Sequence, residues 1–189
     1  IRGSNVNDVL PRFLQTGALT MAGVTPTMSP RMDIQVSSNF ARFLFELYGR
    51  DGAATAAAVT EFREKGTLSV GNNLWQRAQD TFDGYRIDDA ETRTVIGETW
   101  RRSGYLLDPH SAIGVAAAQA RRKDVETPVV VLSTAHPAKF PDAIAKSGLG
   151  QAVHLPAPLQ DLFEREERLQ VLPNDLAAVQ SFMAGNLTA

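Results

Sequence analysis

The unbroken apolar run Thr127-Pro128-Val129-Val130-Val131-Leu132 constrains this chain more than any other segment. It is β-branched, bounded by turn residues and too short for a helix, so it reads as a strand buried on both faces. Such strands belong to parallel sheets covered by helices, which predicts an α/β fold. Ser133-Thr134-Ala135-His136-Pro137-Ala138-Lys139-Phe140 follows directly. Ligands of open α/β sheets bind beyond the carboxyl ends of the strands, where these two hydroxyls, an imidazole and an ammonium would lie. A plain strand-to-helix turn would use similar residues, so position alone leaves both readings open.

Helical patterns surround this strand. Val9, Leu10, Phe13 and Leu14 predict a helix over Asn7–Gln15, capped by Asn7 or Asp8 and ended by Gly17. Thr20–Ser38, with Met21, Met28 and Met32 set among prolines and hydroxyl residues, keeps no period and reads as a long loop. Helices are expected from Asn39 to the Gly49-Arg50-Asp51-Gly52 turn, over Ala53–Glu64, and over Asn73–Asp80. Tyr85-Arg86-Ile87 ends a short strand, and Asp88 with Glu91 forms a capping box for a helix through Trp100. Asp108-Pro109 opens another helix, with Asp as cap and Pro at its first position. A last helix is predicted over Asn174–Ala184, capped by Asn174. Three stretches follow: 1–38, the end of the α/β unit of a large domain, with a loop; 39–82, a helical insertion; and 83–189, the C-terminal α/β region of the same large domain.

Composition removes whole classes of function. Nineteen basic and twenty-one acidic residues give a net charge of −2, too little positive field to hold nucleic acid. The absence of cysteine excludes disulfides and thiolate metal sites and fits a cytoplasmic protein. The three histidines have no metal-ligand spacing, so no metal is assigned. No apolar run approaches the roughly 20 residues of a membrane span. Ile1-Arg2-Gly3-Ser4-Asn5 is neither a Met start nor a signal peptide, and the expectation is a chain that begins inside a longer protein.

Four ordered blocks resemble one family. Ser133 to Phe140 closely resembles the Thr-Ala-His-Pro-Ala-Lys-Phe signature of the microbial and fungal threonine synthases. Asn5 to Leu14 is similar to the family's Thr-Asn-x-Asn-Asp-x-x-Pro-Arg-Phe stretch, with Ser4 in place of Thr. Ser29-Pro30-Arg31-Met32-Asp33-Ile34 resembles its Ser-x-x-Met-Asp-Ile loop, and Gly104-Tyr105 with Asp108-Pro109-His110-Ser111-Ala112 resembles its Gly-Tyr…Pro-His-x-Ala block.

The resemblance implies the C-terminal portion of an enzyme of the tryptophan-synthase-like fold type II. Such enzymes use pyridoxal 5'-phosphate (PLP) to convert O-phospho-L-homoserine and water into L-threonine and phosphate. By the same resemblance, Thr134 or Ser133 faces the cofactor's pyridine nitrogen. Lys139 holds a substrate phosphate or carboxylate, or is a surface lysine. His136 and His110 border the substrate or pack structurally, and Asp33 lies in a loop able to close over substrate. Asn5 and Asp8 cap the first helix or touch the site wall. Lys65, Lys123, Lys139 and Lys146 do not lie in the family's Schiff-base context, so that lysine is expected in the N-terminal part of the enzyme, the chain's expected partner. Two competing readings are a threonine-dehydratase-like lyase of the same fold and a non-catalytic interaction module.

Overall fold

A computed structural model describes residues 1–187. The chain divides into two compact units, residues 1–154 and residues 155–189.

The first unit begins with strand β1 (Arg2–Ser4) and helix α1 (Val9–Thr16). Helix α1 turns its apolar side inward, burying Val9, Pro11, Phe13 and Leu14, and Gly17 closes it in a left-handed conformation. Asp8 occupies the cap position, but its carboxylate makes no capping bond. It pairs with Arg12 at 2.8 Å and Arg86 at 3.7 Å instead, which corrects the expected cap.

Strand β2 (Ala18–Thr20) pairs antiparallel with β3 (Thr67–Ser69), Leu19 opposite Leu68. Neither strand was legible, because three residues are too few to display a period. Between them run α2 (Phe40–Leu47) and α3 (Gly52–Lys65), and α4 (Asn72–Thr81) follows β3. Phe13, Leu19, Leu44, Leu47, Phe62, Leu68 and Ala78 close one core among α1–α4 and the two strands. Phe13 meets Phe40 edge-on, ring centroids 5.0 Å apart.

Strand β4 (Gly84–Arg86) returns beside β1 in a parallel pair, Gly3 opposite Tyr85. Helix α5 (Asp89–Ser103) starts with the expected capping box: Asp88 accepts the Glu91 amide at 2.9 Å and Glu91 accepts the Asp88 amide at 3.0 Å. Helix α6 (Pro109–Arg121) packs on α5 and lies against the β1–β4 pair. That approach requires glycine. A Cβ on Gly3 would lie 2.8 Å from the Ile113 carbonyl oxygen of α6, and one on Gly84 would lie 2.9 Å from Pro11 Cα of α1. The expected α/β class therefore stands, with a small parallel sheet flanked by helices.

The run Thr127–Leu132 is not a strand, which corrects the leading expectation. No chain among the described residues hydrogen-bonds alongside it, and a strand is defined by its ladder. Val130 is 84% exposed and Leu132 75%. Only Val131 is turned inward to α6, reaching 3.0 Å from the point a Gly114 Cβ would occupy. The run leads into a 3-10 turn (Pro137–Lys139) and the short helix α7 (Pro141–Lys146), whose Ile144 is fully buried.

In the second unit, α8 (Leu176–Asn186) is capped by Asp175, which accepts the Ala178 amide at 2.8 Å, rather than by the expected Asn174. Among the described residues no helix is long and apolar enough to cross a membrane.

Candidate active site

The first turn of α6 gathers a buried polar cluster. Asp108 is 1% exposed, and both of its oxygens are used. Oδ1 accepts the His110 amide at 3.0 Å and His110 Nδ1 at 2.8 Å. Oδ2 accepts the Ser111 amide at 3.4 Å and the Ser111 hydroxyl. Burial pushes the Asp108 carboxyl upward, but hydrogen bonds from His110 and Ser111 outweigh it and hold the group below the usual carboxylate range.

Two loops end on this turn. His110 Nε2 accepts the Arg31 amide at 3.2 Å, so the ring is assigned its proton on Nδ1, toward Asp108. The Ser111 hydroxyl gives its proton to Asp108 and accepts the Thr134 amide at 3.1 Å. Phe140 packs against the imidazole, ring centroids 4.6 Å apart, and the Arg31 guanidinium stands 5.9 Å from the same aromatic ring.

The loop preceding Arg31 is shaped by two asparagines. Asn5, 1% exposed, donates through Nδ2 to Thr27 Oγ1 at 2.8 Å, Ser29 Oγ at 3.0 Å and Asp33 Oδ1 at 2.7 Å, while its Oδ1 accepts the Asn7 amide at 2.9 Å. Asn7 Nδ2 reaches Thr25 O at 2.8 Å and Asp33 Oδ1 at 3.0 Å. Asp33 Oδ2 accepts the Thr27 amide at 2.8 Å. Met28 is anchored separately, its amide 3.2 Å from both oxygens of Asp89 on α5. The long loop is thus folded around buried side-chain amides, which supply the partners a strand or helix would otherwise give its backbone.

These segments border one open cleft of about 720 Å³, lined by Arg31, Met32, His110, Gly114, Thr134 and Ala135 among others. Of the residues named from sequence, Thr134 and His110 meet there. Among the described residues the Thr134 hydroxyl makes no hydrogen bond to protein and is free for a ligand, although its amide is fixed. Ser133 lies in a neighbouring hollow with Tyr105 and His154, its hydroxyl 3.5 Å from the Tyr105 hydroxyl. His136 caps the 3-10 turn, its Nδ1 accepting the Ala138 amide at 3.2 Å. Lys139 is exposed on that turn. Asp33 has both oxygens engaged inside the loop. The four lysines are all exposed, and Lys65 pairs with Glu61 at 3.1 Å.

Asp108 was read from sequence only as a helix cap, and Ser111 only as part of a motif. Their second roles depend on contacts with Thr134, 23 residues beyond Ser111, which no local pattern encodes. Asn7 was read as a possible cap, and its hold on Thr25 was missed for the same reason.

Residues 111–183 match the family model described as threonine synthase, C-terminal. Threonine synthase of Pseudomonas aeruginosa is 50% identical over 184 residues, covering 97% of this chain and 39% of that protein. The X-ray structure of PLP-bound threonine synthase from Brucella melitensis superposes with a TM-score of 0.88 at 42% identity, covering 99% of this chain and 40% of that one. Threonine synthase from yeast gives 0.84 at 31% identity, covering 98% and 41%. The chain therefore spans about two-fifths of the length of the relatives it matches.

Proposed function

The chain belongs to the threonine synthase family, corresponding to its C-terminal part, and on that premise we propose that it forms one wall of a PLP-dependent lyase active site. The full-length protein would convert O-phospho-L-homoserine and water into L-threonine and phosphate. The observation that carries this reading is the Thr134 loop: its amide is clamped to Ser111, the residue borders the cleft, and among the described residues its hydroxyl has no protein partner.

The residues present fit the cofactor. A neutral hydroxyl can hydrogen-bond a pyridine nitrogen without forcing full positive charge onto the ring, and Thr134 offers one held at a fixed backbone position. Ser133 is the adjacent second hydroxyl. When bound, PLP supplies an electron sink for carbanion character on the substrate. The lysine that anchors it is assigned to the remainder of the full-length protein, because Lys65, Lys123, Lys139 and Lys146 do not lie in the family's Schiff-base context.

The remaining residues act on the substrate side. Lys139 offers a point charge to the phosphate or carboxylate of the substrate. His110, neutral and accepting from the Arg31 amide, holds the Arg31 loop at the cleft instead of moving a proton. Asp33 fixes that loop through Asn5 and Thr27. His136 fixes the turn that presents Lys139. The cysteine-free sequence fits a cytoplasmic location.

Purified full-length protein supplied with PLP and O-phospho-L-homoserine tests the reading. Equal amounts of threonine and inorganic phosphate are expected. A 2-oxo acid product would instead indicate a dehydratase-like lyase, and no turnover with bound cofactor would reject the assignment.

A further inference from the structure

We infer that Asp108 is a positioning residue that fixes both walls of the cleft through two matched arms, one ending on Arg31 and the other on Thr134. What those walls hold rests on the function proposed above; the coupling itself rests on geometry.

Capping a helix requires only that a side-chain oxygen accept the amides two and three positions on. Asp108 does this and more. Oδ1 also takes the His110 ring proton, leaving Nε2 to accept the Arg31 amide. Oδ2 also takes the Ser111 hydroxyl proton, leaving that oxygen to accept the Thr134 amide. Both arms have the same form: the carboxylate orients a proton, and the atom that carried it turns a lone pair toward a backbone amide. A charged acceptor strengthens each outer bond by polarising the group between. The two amides belong to loops 103 residues apart in sequence (134 − 31), and one buried carboxylate sets both directions.

Each arm has one link that can be removed alone. Ser111→Ala deletes the acceptor for Thr134 and leaves His110 in place. His110→Phe keeps an aromatic ring against Phe140 and deletes the acceptor for Arg31. Asp108→Ala removes the root of both. Hydrogen exchange of the backbone amides in the full-length, PLP-loaded enzyme reads each arm directly. Ser111→Ala is expected to speed exchange at Thr134 by about tenfold, the loss of one hydrogen bond, and to leave Arg31 unchanged. His110→Phe is expected to give the converse, and Asp108→Ala to speed both. Ser111→Thr keeps the hydroxyl and should restore slow exchange at Thr134.

The bound-cofactor absorbance should shift in Ser111→Ala and Asp108→Ala, where the Thr134 hydroxyl loses its fixed mount, and return in Ser111→Thr. A general loosening that speeds both amides equally in Ser111→Ala would overturn the two-arm scheme, as would no change at either. Should Asp108→Ala fail to fold, the two single-arm variants decide alone. Failure of the parent enzyme to bind PLP would instead count against the proposed function, while the exchange pattern would still judge the arms.

Discussion

Asn5→Asp is nearly isosteric, yet it should unfasten the loop before Arg31 in a pH-dependent way. Asn5 Nδ2 stands 2.7 Å from Asp33 Oδ1, so the substitution sets a carboxylate against a carboxylate at that distance. At an effective dielectric of about 20, two unit charges there repel by about 6 kcal/mol. The pair avoids this by binding one proton, so the penalty is capped by the cost of protonation. Against an unfolded Asp near pKa 3.9, that cost is about 4 kcal/mol at pH 7 and about 1.5 kcal/mol at pH 5. The sign follows: the folded value of the shared proton is raised, so the variant is least impaired at low pH and loses stability as pH rises. Exchange of the Thr27 amide, bonded to Asp33 at 2.8 Å, reports the local opening. The difference between parent and variant should grow by about 2 to 3 kcal/mol from pH 5 to pH 7. A loss independent of pH would refute the reasoning, because it would mean that the missing amide donors carry the penalty and no shared proton relieves it.

Three further outcomes are expected. Gly84→Ala forces a Cβ to 2.9 Å from Pro11 Cα and should destabilise by about 1–3 kcal/mol in thermal unfolding. Gly97→Ala, inside α5 with nothing within 4 Å, should instead stabilise by about 0.5–1 kcal/mol. Because Asp108 is held below its usual range, its stabilisation is present above the unfolded pKa and is lost as pH falls through the folded one. Urea midpoints of Asp108→Asn and parent should therefore differ by a constant amount from neutral pH down to about 4 and converge below it.

What was legible in the sequence was what local chemistry writes. The Asp88–Glu91 capping box, the Asp108-Pro109 start of α6 and Gly17 at the end of α1 each depend on residues within a few positions of one another. Valines 129–131 were read as a two-sided strand from composition, but burial on both faces needs neighbours, and the described residues supply only α6. The first-turn residues of α6 were visible as a motif without their function. Ser111 and Thr134 meet only after α6 and the apolar run that precedes Ser133 are folded against each other. Asp33 was legible as a loop carboxylate, but its engagement by Asn5 and Thr27 depends on a loop that closes on the start of the chain.

The central claim is that this chain presents the Thr134 hydroxyl to the cofactor's ring nitrogen, on a backbone fixed by Ser111 and Asp108. PLP labelled with ¹⁵N in the ring, bound to the full-length enzyme, measures this through the nitrogen chemical shift. Thr134→Val should move that shift and Thr134→Ser should return it to the parent value. An identical ring-nitrogen shift in the parent and Thr134→Val enzymes would contradict the claim.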